Sequence, residues 1–166
     1  MADKLLKRNE VPVEETWDLS LLYKSDEELN ADIEKAKEIV RKMITFKGKL
    51  NSAEAVNDCL SLYEQFIVID DHATNYVGLD AETDHTNSAV MEKNEKVTNI
   101  FNELETEITF MDSEIARADE EVLKKAMETC DRHNSYLKNV LRSKPHMLSD
   151  ETERALAALN QTLNAP

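Results

Sequence analysis

The sequence predicts an all-α protein, an elongated antiparallel helical hairpin or bundle with short C-terminal helices and an extended N-terminal arm. Three observations carry this expectation. Only 2 Gly and 3 Pro occur in 166 residues, too few for the frequent turns of an all-β sandwich or the glycine-rich first turn of a doubly wound α/β fold. Apolar residues recur at alternating spacings of 4 and 3 along three long segments, which places them on one face of a helix. Hydrophobic residues make up 41% of the chain and charged residues 33%, a balance that suits helices with one buried and one solvated face.

The chain divides into an arm over residues 1–24, a long-helix bundle over 25–116 and short helices over 117–166. In the arm, Val11-Pro12-Val13 reads as extended backbone. Trp17, Leu19 and Leu22 are expected to pin the arm to the body, with the lone Trp as a packing anchor. The first helix starts at Ser25, which forms a capping-box pattern with Glu28. Its apolar series is Leu29, Ile33, Ala36, Val40 and Met43, and Gly48 stops it after Phe46. The second helix follows Ser52 with Val56, Leu60, Tyr63 and Ile67, and runs to Tyr76 or Leu79. Gly78 and the polar stretch Asp80 to Asn87 then mark a turn or a loosened helix.

The third helix is expected over Ser88 to Ile115, with Val97, Phe101, Leu104, Ile108, Met111 and Ile115 as a sustained packing seam. A helix of that length reaches about 40 Å, so the second and third helices form an elongated hairpin with its tip near Asp80 to Asn87. Shorter helices follow at Asp119 to Cys130 and at Ser135 to Arg142, the latter halted before Pro145. A last helix is capped by Ser149, carries Asp150 and Glu151 in its first turn, and runs through Leu156 and Leu159.

Charge excludes several function classes. Asp and Glu total 34 against 20 Lys and Arg, a formal net charge of −14 spread along the chain. Such a surface repels nucleic acid and anionic membranes, both of which call for clustered Lys and Arg. No apolar run approaches the roughly 18 residues of a membrane span. Residues 1–10 lack the apolar core of a secretory signal, so the expected compartment is cytoplasmic, with Cys59 and Cys130 reduced. Both cysteines read as small core residues, beside Val56, Leu60 and Tyr63 and beside Leu123, Ala126 and Met127.

Motifs for chemistry are sparse. The four histidines are His72, His85, His133 and His146. No two stand four apart, so the H-E-x-x-H zinc motif is absent. Asp80-Ala81-Glu82-Thr83-Asp84 opens like a calcium loop, but His85 stands where the sharp turn needs Gly and Met91 where a bidentate Glu belongs. Glu82 and His85 form a single E-x-x-H, and a di-iron bundle needs a second. Asp70 and Asp71 precede His72. Adjacent carboxylates point about 100° apart on a helix and chelate poorly. No Ser-His-Asp or Cys-His arrangement emerges from the sequence. Neither catalytic nor metal-ligating residues are assigned, and substrate-binding residues stay unknown.

Several segments together resemble the N-terminal region of oligoendopeptidase F, a zinc metallopeptidase family of the thimet-oligopeptidase-like group. They are Glu10-Val11-Pro12 with Thr16-Trp17-Asp18-Leu19-Ser20-Leu21-Leu22-Tyr23, then Phe46-Lys47-Gly48-Lys49-Leu50, then Asn75-Tyr76-Val77-Gly78-Leu79-Asp80 with Thr83 and Asp84. The most specific is Arg142-Ser143-Lys144-Pro145-His146-Met147-Leu148-Ser149, followed by Glu151 and Glu153. The resemblance implies a mostly helical fold and a parent that cleaves short peptides with zinc. The family's H-E-x-x-H and third zinc ligand lie further along the polypeptide and have no counterpart here. This chain would then need no cofactor of its own; it would help enclose the peptide channel, with the rest of the parent as its partner and oligopeptides as the parent's substrates.

Two other readings stand beside this one. A stand-alone helical interaction module would pair its apolar seams with another chain, or form a homo-oligomer through exposed apolar surface. A metal-binding bundle would use Asp70, Asp71, His72, Glu82 and His85.

Overall fold

The structure is a computed structural model and describes residues 10–146. Among these residues the ordered elements are helical: α1 (Asp26–Ile44), α2 (Ala53–Thr83), α3 (Ser88–Ile108), α4 (Phe110–Arg117), α5 (Glu120–Thr129) and α6 (Asn134–Ser143), with 3-10 turns at Val13–Glu15, Leu19–Leu21 and Lys144–His146. The fold is all-α. The expected last helix from Ser149 lies outside the described residues, as does the Met147-Leu148-Ser149 end of the most specific motif.

Capping residues set the helix starts. The Ser25 hydroxyl accepts the Glu28 N–H at 3.4 Å, and the Glu28 carboxylate accepts the Lys24 N–H at 2.8 Å. This is the capping box with its return bond one residue early. Ser52 accepts the Ala55 N–H at 3.2 Å, Asn87 the Ala89 N–H at 3.2 Å and Asp119 the Glu121 N–H at 3.0 Å. After α1 the chain turns at Gly48, whose φ of 74° is the left-handed region that glycine adopts without steric cost. The Gly48 N–H donates to the Glu114 carboxylate at 2.8 and 2.9 Å, tying this turn to α4.

The core follows the helical seams. Leu29, Ile33, Ala36, Val40 and Met43 of α1 are buried, as are Val97, Phe101, Leu104, Ile108, Met111 and Ile115 of α3 and α4. The expected single third helix is interrupted at Thr109. The Thr109 hydroxyl donates to the Thr106 carbonyl at 2.9 Å, a local competitor of the helical ladder. The seam passes through the interruption intact.

Five local expectations are corrected. Helix α2 continues through Gly78 to Thr83, because the packing of Val77 and Ala81 outweighs the modest helix cost of one glycine. Its buried stripe turns after Leu60 to Phe66, Ile69, Ala73 and Val77, leaving Tyr63 half-buried and Ile67 exposed. Phe66 faces Phe101 with ring centroids 6.1 Å apart, and this large aromatic pair sets which face of α2 turns inward. In the arm, Val13–Glu15 is a 3-10 turn, with the Glu15 N–H on the Pro12 carbonyl at 3.0 Å. Trp17 is 59% exposed and does not join the core. Tyr23 is the buried anchor, stacked edge-on to Tyr76 at 5.4 Å and donating to Asp32 at 3.2 Å. Finally, Lys144 keeps helical backbone angles before Pro145 and enters a 3-10 turn.

Candidate functional site

The junction of α2 and α6 brings together a connected set of polar side chains. Helix α2 presents Ser61 and Glu64 one turn apart. The α5–α6 turn brings His133 to them, and His133 is the one buried polar or charged residue in the described core. Its Nε2 lies 3.3 Å from Ser61 Oγ and its Nδ1 lies 3.2 Å from Glu64 Oε1. Arg132 approaches Glu64 at 3.6 Å. The order Ser, His, carboxylate is that of a serine hydrolase relay. Acyl transfer also needs free N–H donors aimed at the developing oxyanion. Ser61 sits in mid-α2, where the surrounding N–H groups are consumed by the helix ladder. The arrangement therefore works as a clamp that fixes the start of α6 on α2.

Sequence reasoning missed this clamp because Ser61 and His133 stand 72 residues apart. The one local signal is the pair Ser61 and Glu64 on a single helix face.

Beside the clamp runs a groove of about 530 Å³ between α2 and α6, lined by Leu60, Tyr63, Ile67, Val68, His133 and Tyr136. Ile67 and Val68 are 41% and 55% exposed. The Tyr136 hydroxyl donates to Asp112 at 2.7 Å. Burial, then this bond and the Asp112 charge, holds the Tyr136 phenol well above its ordinary range. Further along α2, Asp70 keeps its proton to higher pH than a free carboxyl, through burial first and then the charges of Glu105 and Asp71.

The structure does not gather the residues of the metal reading. Asp70 faces Glu105, Asp71 and His72 are exposed, and His85 pairs only with Glu82 at 3.4 Å on the hairpin tip. Among the described residues no group of three or more His, Cys, Asp or Glu could hold a metal ion. The zinc that the family resemblance implies has no fitting ligand set among the described residues. Cys59 is fully buried, and burial, with a smaller contribution from the Glu114 charge, pushes its thiol up to about 11. Cys130 caps α5 and is half-buried rather than part of the core. No helix among the described residues is long and apolar enough to cross a membrane.

A second groove, of about 660 Å³, separates α1 and α3 over Leu29, Ile33, Val97 and Ile100. Lys93 bridges it by pairing with Asp26 and sits 4.7 Å over the Tyr76 ring.

Across 99% of its length the chain is 25% identical to Oligopeptidase PepF of Bacillus subtilis. The chain is similar in sequence to oligoendopeptidase F proteins. The plasmid-borne oligoendopeptidase F of Lactococcus lactis subsp. cremoris is 26% identical over 96% of the chain, and so is an oligoendopeptidase F homolog of Lactococcus lactis subsp. lactis. The chain spans about a quarter of the length of these oligoendopeptidase F relatives, 25–27%. The N-terminal family model described as Oligopeptidase F matches residues 114–166, from late α4 onward. No solved structure matches.

Proposed function

We propose that this chain is the non-catalytic helical part of a zinc-dependent oligopeptidase, serving as a wall of the peptide channel and limiting access to short substrates. The observation that carries the reading is the match itself, nearly complete on this chain and about a quarter of each relative. The geometry is compatible with it. The α2–α3 hairpin is long and its tip at Asp84–Asn87 is polar. A rigid helical wall restricts substrates by narrowing access, which selects extended peptides over folded proteins. The parent would work in the cytoplasm with oligopeptides as substrates and zinc bound by residues outside this part.

Immunoblotting the source cell with an antibody to this chain tests the reading. A species several times larger than this chain, purified and cleaving a short fluorogenic peptide only with zinc present, supports it. A product of 166 residues that acts only through a bound partner overturns it in favour of a stand-alone helical module. Zinc-dependent peptide cleavage by the purified chain alone removes the non-catalytic part of the proposal.

A further inference from the structure

We propose that the apolar groove between α2 and α6 docks a basic amphipathic helix of a partner protein. The inference concerns a surface of the described residues and does not rest on the peptidase reading.

Shape selects a helix. The groove lies between two helices, and no strand edge among the described residues is there to accept an added strand. A helix laying one apolar face between two others is the packing such a groove fits. Scattered apolar side chains are ordinary on a surface, but the exposed Ile67 and Val68 stand together at the mouth of a groove that Leu60, Tyr63 and Tyr136 also line. From Leu60 to Val68 the wall on α2 runs about 12 Å, room for about two turns of a docked helix.

Charge selects the occupant. Asp112 accepts the hydroxyl of the groove residue Tyr136 at 2.7 Å. The groove residue Tyr63 feels three carboxylates: burial first, then the charges of Asp112, Glu105 and Asp70, raise its phenol above the ordinary range. Asp71 adds its charge beside Asp70. None of these four carboxylates is in an ion pair with a Lys or Arg among the described residues. Arg132, the base lining the groove, is committed to Glu64 at 3.6 Å. The groove therefore carries uncompensated negative charge beside its apolar wall, which a helix bearing Lys or Arg next to its apolar stripe complements. A second copy packed groove to groove would set the same carboxylates against each other, and an anionic membrane would be repelled. The α1–α3 groove lacks this imbalance, because Lys93 pairs with Asp26 and Lys37 with Glu34 along it.

The test uses the full chain and two synthetic fluorescent peptides of leucine and lysine, one with its leucines at helical spacing and one of the same composition scrambled. Anisotropy titrations at physiological salt should show the patterned peptide binding about tenfold more tightly. Val68→Asp adds a negative charge, yet should weaken that binding about tenfold by setting a carboxylate against the leucines. Asp70→Asn with Glu105→Gln should weaken it about threefold, whereas Glu38→Gln with Glu95→Gln, two exposed acids elsewhere on α1 and α3, should leave it unchanged. Circular dichroism checks that each variant keeps the helical fold. Equal binding of the two peptides, equal effects of the two carboxylate pairs, or undiminished binding to Val68→Asp overturns the proposal, leaving only unspecific attraction to a chain of net charge −14. Concentration-dependent dimerisation that Val68→Asp abolishes also overturns it, assigning the groove to a second copy.

Discussion

The α1–α3 bundle and the α5–α6 pair are held by different forces. In the bundle, long helices bury continuous apolar faces, from Leu29 to Met43 on α1 and from Val97 to Ile108 on α3, closed around Phe66 and Phe101. In the pair, two helices of 10 residues each bury only Leu123, Ala126 and Leu137 fully. Helices shorter than about 12–15 residues are marginal by themselves. Directional bonds compensate. The Asn57 amide donates to the Ala126 carbonyl and Thr129 hydroxyl, both at 3.0 Å. His133 is held between Ser61 and Glu64, Tyr136 donates to Asp112, and Lys144 donates to two α4 carbonyls. Where a helix is too short to be kept by area, polar ties to long neighbours set its place.

The sharpest way to break this contrast is in the bundle. Phe101→Ala removes half of the central aromatic pair and should cost about 3–5 kcal/mol, lowering the denaturation midpoint of the whole chain by circular dichroism. His133→Ala removes a buried ring, leaves Ser61 without this contact and Glu64 with Arg132 alone, and should cost about 2–3 kcal/mol. Its mark is local: hydrogen exchange should accelerate in α6 well before α1. Uniform acceleration would show that the two regions are one cooperative unit. Ser52→Ala removes the cap of α2 and should cost about 1 kcal/mol, read as a shift of the urea midpoint with no change in slope.

The smallest effect has the opposite sign. Asp70 binds its proton more tightly folded than unfolded, so stability falls as pH rises through the window just above the ordinary carboxylate range. At neutral pH the charge is a burden. Asp70→Asn should therefore be slightly stabilising at pH 7, by about a few tenths of a kcal/mol after solvent screening, read as a small rise in melting temperature. The gain should vanish below the carboxylate range, and a destabilised variant at pH 7 would contradict the burial described here.

Much of the bundle was legible beforehand. Ser25, Ser52 and Asp119 declare helix starts through local hydrogen bonds, and the seam from Val97 to Ile115 declares its buried face through spacing alone. The failures share a cause. In Phe66-Ile67-Val68-Ile69 every residue is apolar, so spacing does not say which of them turns inward; the position of Phe101 does. Trp17 has the composition of an anchor, yet Tyr23 takes that role because it meets Tyr76 and Asp32 from other turns of the chain. Of the candidate site only the Ser61–Glu64 spacing on α2 was legible, since His133 comes from the turn before α6.

The sequence by itself determined the helical class, the order of the helices, most of their ends and the similarity to oligoendopeptidase F. These rest on contacts between residues a few positions apart, or on motifs in fixed order. Only the tertiary structure decided which face of α2 is buried, that Ser61, Glu64 and His133 form a clamp, and that Ile67 and Val68 border an open groove. Those features depend on distances between residues remote in the chain, which no local periodicity encodes.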